Sequence, residues 1–187
     1  MWAPRCFAQA SAIVTGMETW DAIRARRNVR EFADRPLADT DLDRILEAGR
    51  RAPSSRNWQP WDFVLVTDRA QLPELAKVWR GADHVARAVA AIVCLGPVLD
   101  NEMQNGWLRY DHGQATMSMA LAAADLGIGT SHAAVSDQAL ARTLLGFPED
   151  RFAVSLLSLG YPADRPLKPL TKVNRRPFDE VVHRGRW

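Results

Sequence analysis

Apolar positions along this chain fall at helical spacing first and at pleated spacing later. METWDAIRARR (17–27) sets Trp20, Ile23 and Arg27 along one side and predicts a helix. An irregular link follows through Pro36. Asp39 or Thr40 then stands ready to cap a second helix, with Leu42, Ile45, Leu46 and Gly49 on one face. That helix has to stop near Ala52, because Pro53 biases the residue before it away from helical angles. WDFVLVT (61–67) reads as a strand, so 52–60 is a loop between helix and strand.

Further on, AQLPELAKVWR (70–80) predicts a helix and AVAAIVCLG (88–96) an apolar strand. The strongest helical stretch runs from about Arg109 to Leu126, rich in Ala and Met and suited to close packing on several sides; Gly127 ends it naturally. IGTSHAAV (128–135) is a short strand or an extended turn. SDQALARTLLG (136–146) carries Ser136 or Asp137 as a helix cap, and FAVSLLSLGYP (152–162) is a strand ending in a turn. Past Ala163, Pro166, Pro169 and Pro177 stiffen a tail expected to run over a surface as an arm. Helices and strands alternate irregularly and without repeats, which favours one layered α+β domain over 17–187.

Composition changes this picture little. The chain has 187 residues, 47% of them hydrophobic and 25% charged, which suits a single globular domain with a sizeable core. A net charge of +2 is too small to require a nucleic-acid partner. No run approaches the roughly 18 apolar residues of a membrane-spanning helix. Cys6 and Cys94 lie far apart without ligand spacing, so they give neither a zinc motif nor a disulfide framework, and a reduced, cytoplasmic setting is expected. The opening MWAPRCFAQASAIVTG (1–16) contains AQA and ASA, but Gln9 and Ser11 break the apolar run that a secretory signal needs. It is expected to be an irregular extension before Met17, itself a candidate start of translation.

The chemistry is narrower. His84, His112, His132 and His183 are scattered, without HExxH or paired ligands, and read as surface or packing groups with no metal site. Neither GxSxG, nor GxGxxG after the first strand, nor GxxxxGK[ST] is present. With no built-in nucleophile and base, an enzyme of this sequence would take its reactive atoms from a cofactor. The arginines cluster: Arg24, Arg26, Arg27 and Arg30, then Arg50 and Arg51, then Arg175 and Arg176. A solvated cationic helix end is the plain reading of the first group. The functional reading is an anion clamp, since guanidinium binds phosphate bidentately and stays charged. Arg175 and Arg176 would form its second jaw, and the SSRNWQ loop would offer partners for a heterocycle edge and a polyol chain. Trp58 and Trp61 beside that loop also suit core or interface packing.

Together RRNVREF (26–32), APSSRNWQPWDF (52–63), LGIGTSHAA (126–134) and RRPFDEVVH (175–183) resemble the nitroreductase family of FMN-dependent oxidoreductases, in the family's order. The resemblance covers 17–187. It implies a layered fold with a central, mostly antiparallel sheet flanked by helices, and a homodimer that exchanges a C-terminal arm. By the same resemblance, Arg26, Arg27 and Asn28 match the first FMN-contacting run, with Arg26 on the phosphate. Arg30 matches a basic position near the flavin pyrimidine, where a fixed cation favours reduced flavin. Pro53, Ser54, Ser55, Asn57 and Gln59 match a loop that contacts FMN, partly from the other subunit, and Arg51 lies where some relatives also touch it. His132, Ala133 and Ala134 match the run along the flavin N5 side. Arg175, with Arg176, matches the C-terminal phosphate ligand.

The implied activity is ping-pong: NAD(P)H reduces FMN at N5 and leaves, and an electron acceptor such as a nitroaromatic or a quinone then takes its place. The nicotinamide cofactor visits the flavin, which accounts for the missing GxGxxG. The sequence departs from the family at His132, where tryptophan is common, and at Met117 and Ser118, where a Gln-Asn pair is frequent. Those departures leave open a divergent member that is deazaflavin-dependent, dehalogenating or flavin-consuming. From a different class, a non-catalytic phosphate- or RNA-binding module would use the same arginines.

Overall fold

The computed structural model describes residues 16–172 and 174–187. The expected N-terminal extension, with Cys6, lies outside the described residues apart from Gly16. Helices α1 (Thr19–Ala25) and α2 (Asp39–Arg50) come first, then a 3-10 turn at Ser55–Asn57 and strand β1 (Asp62–Val66). Next are α3 (Gln71–Ala76), α4 (Asp83–Ala86), β2 (Ala90–Pro97) and the long α5 (Glu102–Asp125). The chain closes with β3 (Gly129–Ala133), α6 (Gln138–Leu145), β4 (Arg151–Gly160), an extended tail and α7 (Phe178–Val181). The strands form one antiparallel sheet in the order β1-β2-β4-β3.

Alternation along the strands builds two cores. Phe63, Leu65, Ala90, Ile92, Cys94, Leu157 and Leu159 face α2 and α5, where Leu42, Ile45, Met119 and Ala123 meet them. Val64, Val66, Ala91, Val93, Leu95 and Leu156 face the other way, onto α3, α4 and α6. β2 is therefore buried on both faces, as its apolar run requires. Burial pushes the Cys94 thiol up to about 12, so it behaves as an apolar core group.

Three boundaries differ from the sequence reading. Ala38 is the N-cap of α2 and makes no side-chain cap bond; Asp39 and Asp41 sit inside the first turn, where their charge suits the helix dipole. α3 stops at Ala76, well before Arg80: the Lys77 and Val78 N–H groups turn to the carbonyls three residues back, Glu74 (3.1 Å) and Leu75 (3.3 Å), and the Val78 carbonyl then accepts from the Ser136 N–H (3.1 Å), the Asp137 N–H (3.0 Å) and the Ser136 hydroxyl (3.0 Å). α5 starts at Glu102, ahead of Arg109, with the Asn101 side chain accepting the Gln104 N–H at 3.0 Å. α5 packs on α2, α1 and the sheet, but one of its sides stays bare. Met103, Trp107, Tyr110 and Met117 stand exposed along it, together with Trp20 and Ile23 of α1.

The link from Asn28 to Ala33 is irregular but tightly seated. Asn28 bridges Thr130 of β3, the Val29 N–H donates to the Thr130 carbonyl at 2.9 Å, and Phe32 bridges Pro162 beyond β4. Two glycines permit this approach. A Cβ on Gly129 would lie 2.5 Å from Val29, and one on Gly160 would lie 2.8 Å from Phe32.

Candidate functional site

The arginine run sits where α1 ends. Arg26 is its C-cap, and the chain turns extended there (φ −60°, ψ 126°). The Asn28–Thr130 bridge fixes the next residues against β3, so two stretches assigned separately to one ligand are neighbours. Arg27 reaches across to Asp164 (2.6 Å) and to the Arg165 carbonyl (2.9 Å), which ties down the start of the tail. Leu167 is buried with Ala25, Val29 and Ala124, and the Leu170 N–H donates to the Arg24 carbonyl at 3.2 Å. The tail is thus laid along α1.

Between them lies a cavity of about 1010 Å³. Arg26, Arg27 and Asn28 line one side, and Leu170, Thr171, Lys172, Asn174 and Arg175 line the other. Arg24, Arg165, Met117 and Leu121 complete it, with Trp20 and Ile23 of α1. Sequence reading joined Arg26 to Arg175 but did not include Arg165 or Lys172, whose only signal was proximity to the tail's prolines. Among the described residues Arg26 and Arg30 make no ion pair, whereas Arg51 holds Glu47 at 2.6 Å and Arg176 approaches Glu180 at 3.4 Å. Hydrogen bonds from Arg50 and then Arg51 pull Glu47 down to about 2. The acids nearest Arg30 are engaged elsewhere: Glu31 by Arg87 (3.2 Å) and Asp34 by Arg69 (2.8 Å).

The loop after α2 is not part of that cavity. Gln59 lines a hollow with Glu47 and Trp61, while Ser55 lines another with Trp58, Met103 and Trp107. Pro53, Ser54 and Asn57 belong to the same loop, whose Arg56, Asn57 and Gln59 have φ of 53°, 57° and 54°. L-residues in that left-handed region cost about 1 kcal/mol or more apiece. Trp61 stacks on Phe63 with ring centroids 6.4 Å apart, but Trp58 stays exposed. In one chain the arginine jaw and the amide loop therefore line separate hollows.

The matches are specific. A family model described as "Nitroreductase family" covers residues 23–97. A protein of Archaeoglobus fulgidus, provisionally designated NADH dehydrogenase/NAD(P)H nitroreductase, is 36% identical over 88% of this chain and 96% of its own. The chain belongs to the nitroreductase family. The FMN reductase [NAD(P)H] of Bacillus subtilis is 25% identical over 89% of this chain and 73% of its own. In three dimensions the NADPH:FMN oxidoreductase of Vibrio harveyi, solved with NAD+, superposes with a TM-score of 0.77 at 27% identity, covering 89% of this chain and 76% of that one.

Within this nitroreductase fold, β3 carries a polar underside. Ser158 Oγ donates to the Ser131 carbonyl at 3.2 Å, so it accepts the Nδ1–H of buried His84 at 2.8 Å. His84 Nε2 and Ser131 Oγ find no partner among the described residues. On the opposite face His132 is half-buried, while Ala133 is buried and Ala134 exposed. Burial, then the Arg30 charge and more weakly Arg87, hold His84 below the ordinary histidine value, against a backbone contact from His132 and the Asp83 charge. Burial and then Arg26 act likewise on His132.

The sign of the resulting pH dependence is definite. A histidine depressed in the folded state leaves the unfolded chain holding more protons below its value of 6.5. Stability is therefore full above that pH and is lost as pH falls from it toward the folded value. One such group gives a slope no steeper than about 1.4 kcal/mol per pH unit. Urea unfolding between about pH 8 and about pH 5 is expected to show this loss. His84→Gln, which keeps a donor for Ser158, should lessen it; an unchanged slope would detach the effect from His84.

Proposed function

We propose that this nitroreductase-family protein is an FMN-dependent NAD(P)H oxidoreductase, acting as a homodimer whose flavin sites each draw on both copies. The observation that carries the reading is the single cavity lined by Arg26, Arg27, Asn28 and Arg175. Cations from two distant segments converge there with an amide and a hydroxyl, a donor set that suits a phosphate monoester on a polyol. Arg26 has no competing ion pair among the described residues, so its guanidinium is available to an anion. Arg27 is more engaged, and its pairing with Asp164 makes it the wall that sets the width of the jaw.

FMN, when bound, supplies the two-electron chemistry that no side chain here can. The protein's own share is to bind, orient and bias. Arg26 and Arg175, with Arg176 nearby, hold the phosphate. Pro53, Ser54, Ser55, Asn57 and Gln59 of the second copy, with Arg51, supply the loop side. His132, Ala133 and Ala134 edge the face where NAD(P)H and then a small planar acceptor, a nitroaromatic or a quinone, are exchanged. Arg30 contributes a charge that favours the anionic reduced form.

The dimer explains two features together. In one copy the loop and the arginine cavity line separate hollows, and a two-fold partner would bring one copy's loop to the other's jaw. Met103, Trp107, Tyr110 and Met117 supply an apolar stripe for that contact, and the end of the arm, where Phe178, Val181 and Trp187 stand exposed, adds to it.

Arg26→Ala and Arg175→Ala should each weaken FMN binding by about tenfold to a hundredfold, the weight of a charge-assisted hydrogen bond. Fluorescence titration of the apoprotein reads this directly, and unchanged affinity in both would remove them from a phosphate site. Trp107→Glu places a charge on the exposed stripe and should yield a folded monomer with reduced FMN affinity; a dimer of native mass by sedimentation contradicts the interface. Arg30→Gln keeps hydrogen-bond donors and deletes the charge. The flavin potential should then fall by several tens of millivolts, about 30 mV being roughly 1.4 kcal/mol for a two-electron couple. Redox titration at full FMN occupancy with no shift would leave Arg30 without an electrostatic role.

A further inference from the structure

We infer that Asp111 is a positioning residue for the flavin, acting through the 53–59 loop, an inference that rests on the FMN reading above. Asp111 lies on α5 with 0% of its surface exposed. Among the described residues it has no ion-pair partner, an unusual setting for a buried acid. Its Oδ2 accepts the Ser55 backbone N–H at 3.0 Å. Its Oδ1 lies 3.5 Å from Ser55 Oγ and 3.4 Å from Gln114 Nε2. Among the described residues, Asp111 is the only side chain from outside the loop that hydrogen-bonds it.

The anchor sits at the start of the strained stretch. Directly after Ser55 the chain enters the left-handed region at Arg56 and Asn57 and returns to it at Gln59, with no glycine to ease the passage. Such conformations persist only where the surroundings over-determine them, and they gather at ligand clamps. Here two clamps do so. Asp111 fixes the entry, and Ser54 Oγ fixes the exit by accepting the Gln59 N–H at 2.8 Å. The Gln59 side chain adds a bond to the Asn57 carbonyl at 3.1 Å. Between the clamps Arg56 and Asn57 stand exposed, and their side chains make no hydrogen bond among the described residues.

A loop held this way meets its ligand already ordered, so binding does not have to supply the ordering. The carboxyl never needs to touch the cofactor. It also explains why a polar group is buried on the helix that carries the proposed dimer stripe: Asp111 follows Tyr110 directly, so the element that docks the second copy also sets the loop offered to it.

The test uses the full chain and FMN fluorescence titration, with dimer mass and circular dichroism measured alongside. Asp111→Ala should weaken FMN binding by about tenfold, the scale of one hydrogen bond that fixes a binding group. Asp111→Asn retains an oxygen that can accept the Ser55 N–H and should stay close to wild type. Arg56→Gly lowers the cost of the left-handed turn, so it should recover several-fold of the affinity lost in Asp111→Ala while changing little in the wild-type background. Ser54→Ala, which removes the second clamp without touching the core, should show the same loss and the same rescue. Wild-type affinity in Asp111→Ala overturns the inference, and so does a loss that neither Asp111→Asn nor Arg56→Gly relieves. A wild-type chain that binds no FMN overturns the flavin reading itself, and this inference with it.

Discussion

The close seating of the Asn28–Ala33 link on the ends of β3 and β4 is the contact on which the rest depends. It works because Gly129 and Gly160 leave no room for a side chain beneath Val29 and Phe32. A β-carbon at either position would crowd its neighbour's own Cβ, 2.6 Å away on Val29 and 3.1 Å on Phe32, which no rotamer change relieves. From that contact the geometry propagates. Asn28 is pinned to Thr130, Arg26 and Arg27 are delivered at the end of α1, and Ala163 donates back to the Glu31 carbonyl at 3.0 Å. The tail then starts in the one direction that carries Leu167 into the small core beside α1 and brings Arg175 to the cavity opposite Arg26.

Charge is distributed unevenly along this frame. Arg27 is tied to Asp164, while Arg50 and Arg51 share Glu47. Exposed pairs of this kind add little stability, and their effect is to settle where long side chains rest. Among the described residues Arg26 and Arg30 make no ion pair, and their charges act on His132 and His84 respectively. Burial is the larger cause of the lowered His84 and His132 values, and the two arginine charges push the same way, a local excess of positive charge. The same excess is what an anionic ligand would relieve.

Much of this was legible in the sequence because it rests on short-range rules. Pro53 ends α2, β2 is apolar on both faces because both are covered, and the four motifs identify the family. What escaped reading rests on contacts between distant segments. Nothing local announces that the chain tightens after Ala76 and turns its Val78 carbonyl to Ser136 and Asp137, so α3 looked longer than it is. The start of α5 was missed because Asn101 caps a polar run without helical periodicity. Nothing in the local sequence marks Asp111, and only folding puts the Ser55 N–H against it. The arginines of the jaw could be named, but their union with Lys172 and Arg165 depends on the path of the tail.

The expectation that α5 packs on several sides meets a single chain in which one of its sides stays bare. A helix that is apolar over most of its circumference is stable in water only when most of that circumference is covered. One face of α5 buries Met119 and Ala123 against the sheet and α2, while Met103, Trp107 and Tyr110 are between 52% and 72% exposed. These large side chains recur along the helix and continue toward Trp20 and Ile23 of α1, a patch too extended to be incidental surface. The arginine cavity opens beside this patch through Met117 and Leu121, and the strained loop borders it through Trp58 and Trp107. A second copy laid on the stripe would cover the bare face and set each loop toward the other copy's cations in the same act. In the proposed dimer, burial of the bare side of α5 and completion of the site are one event.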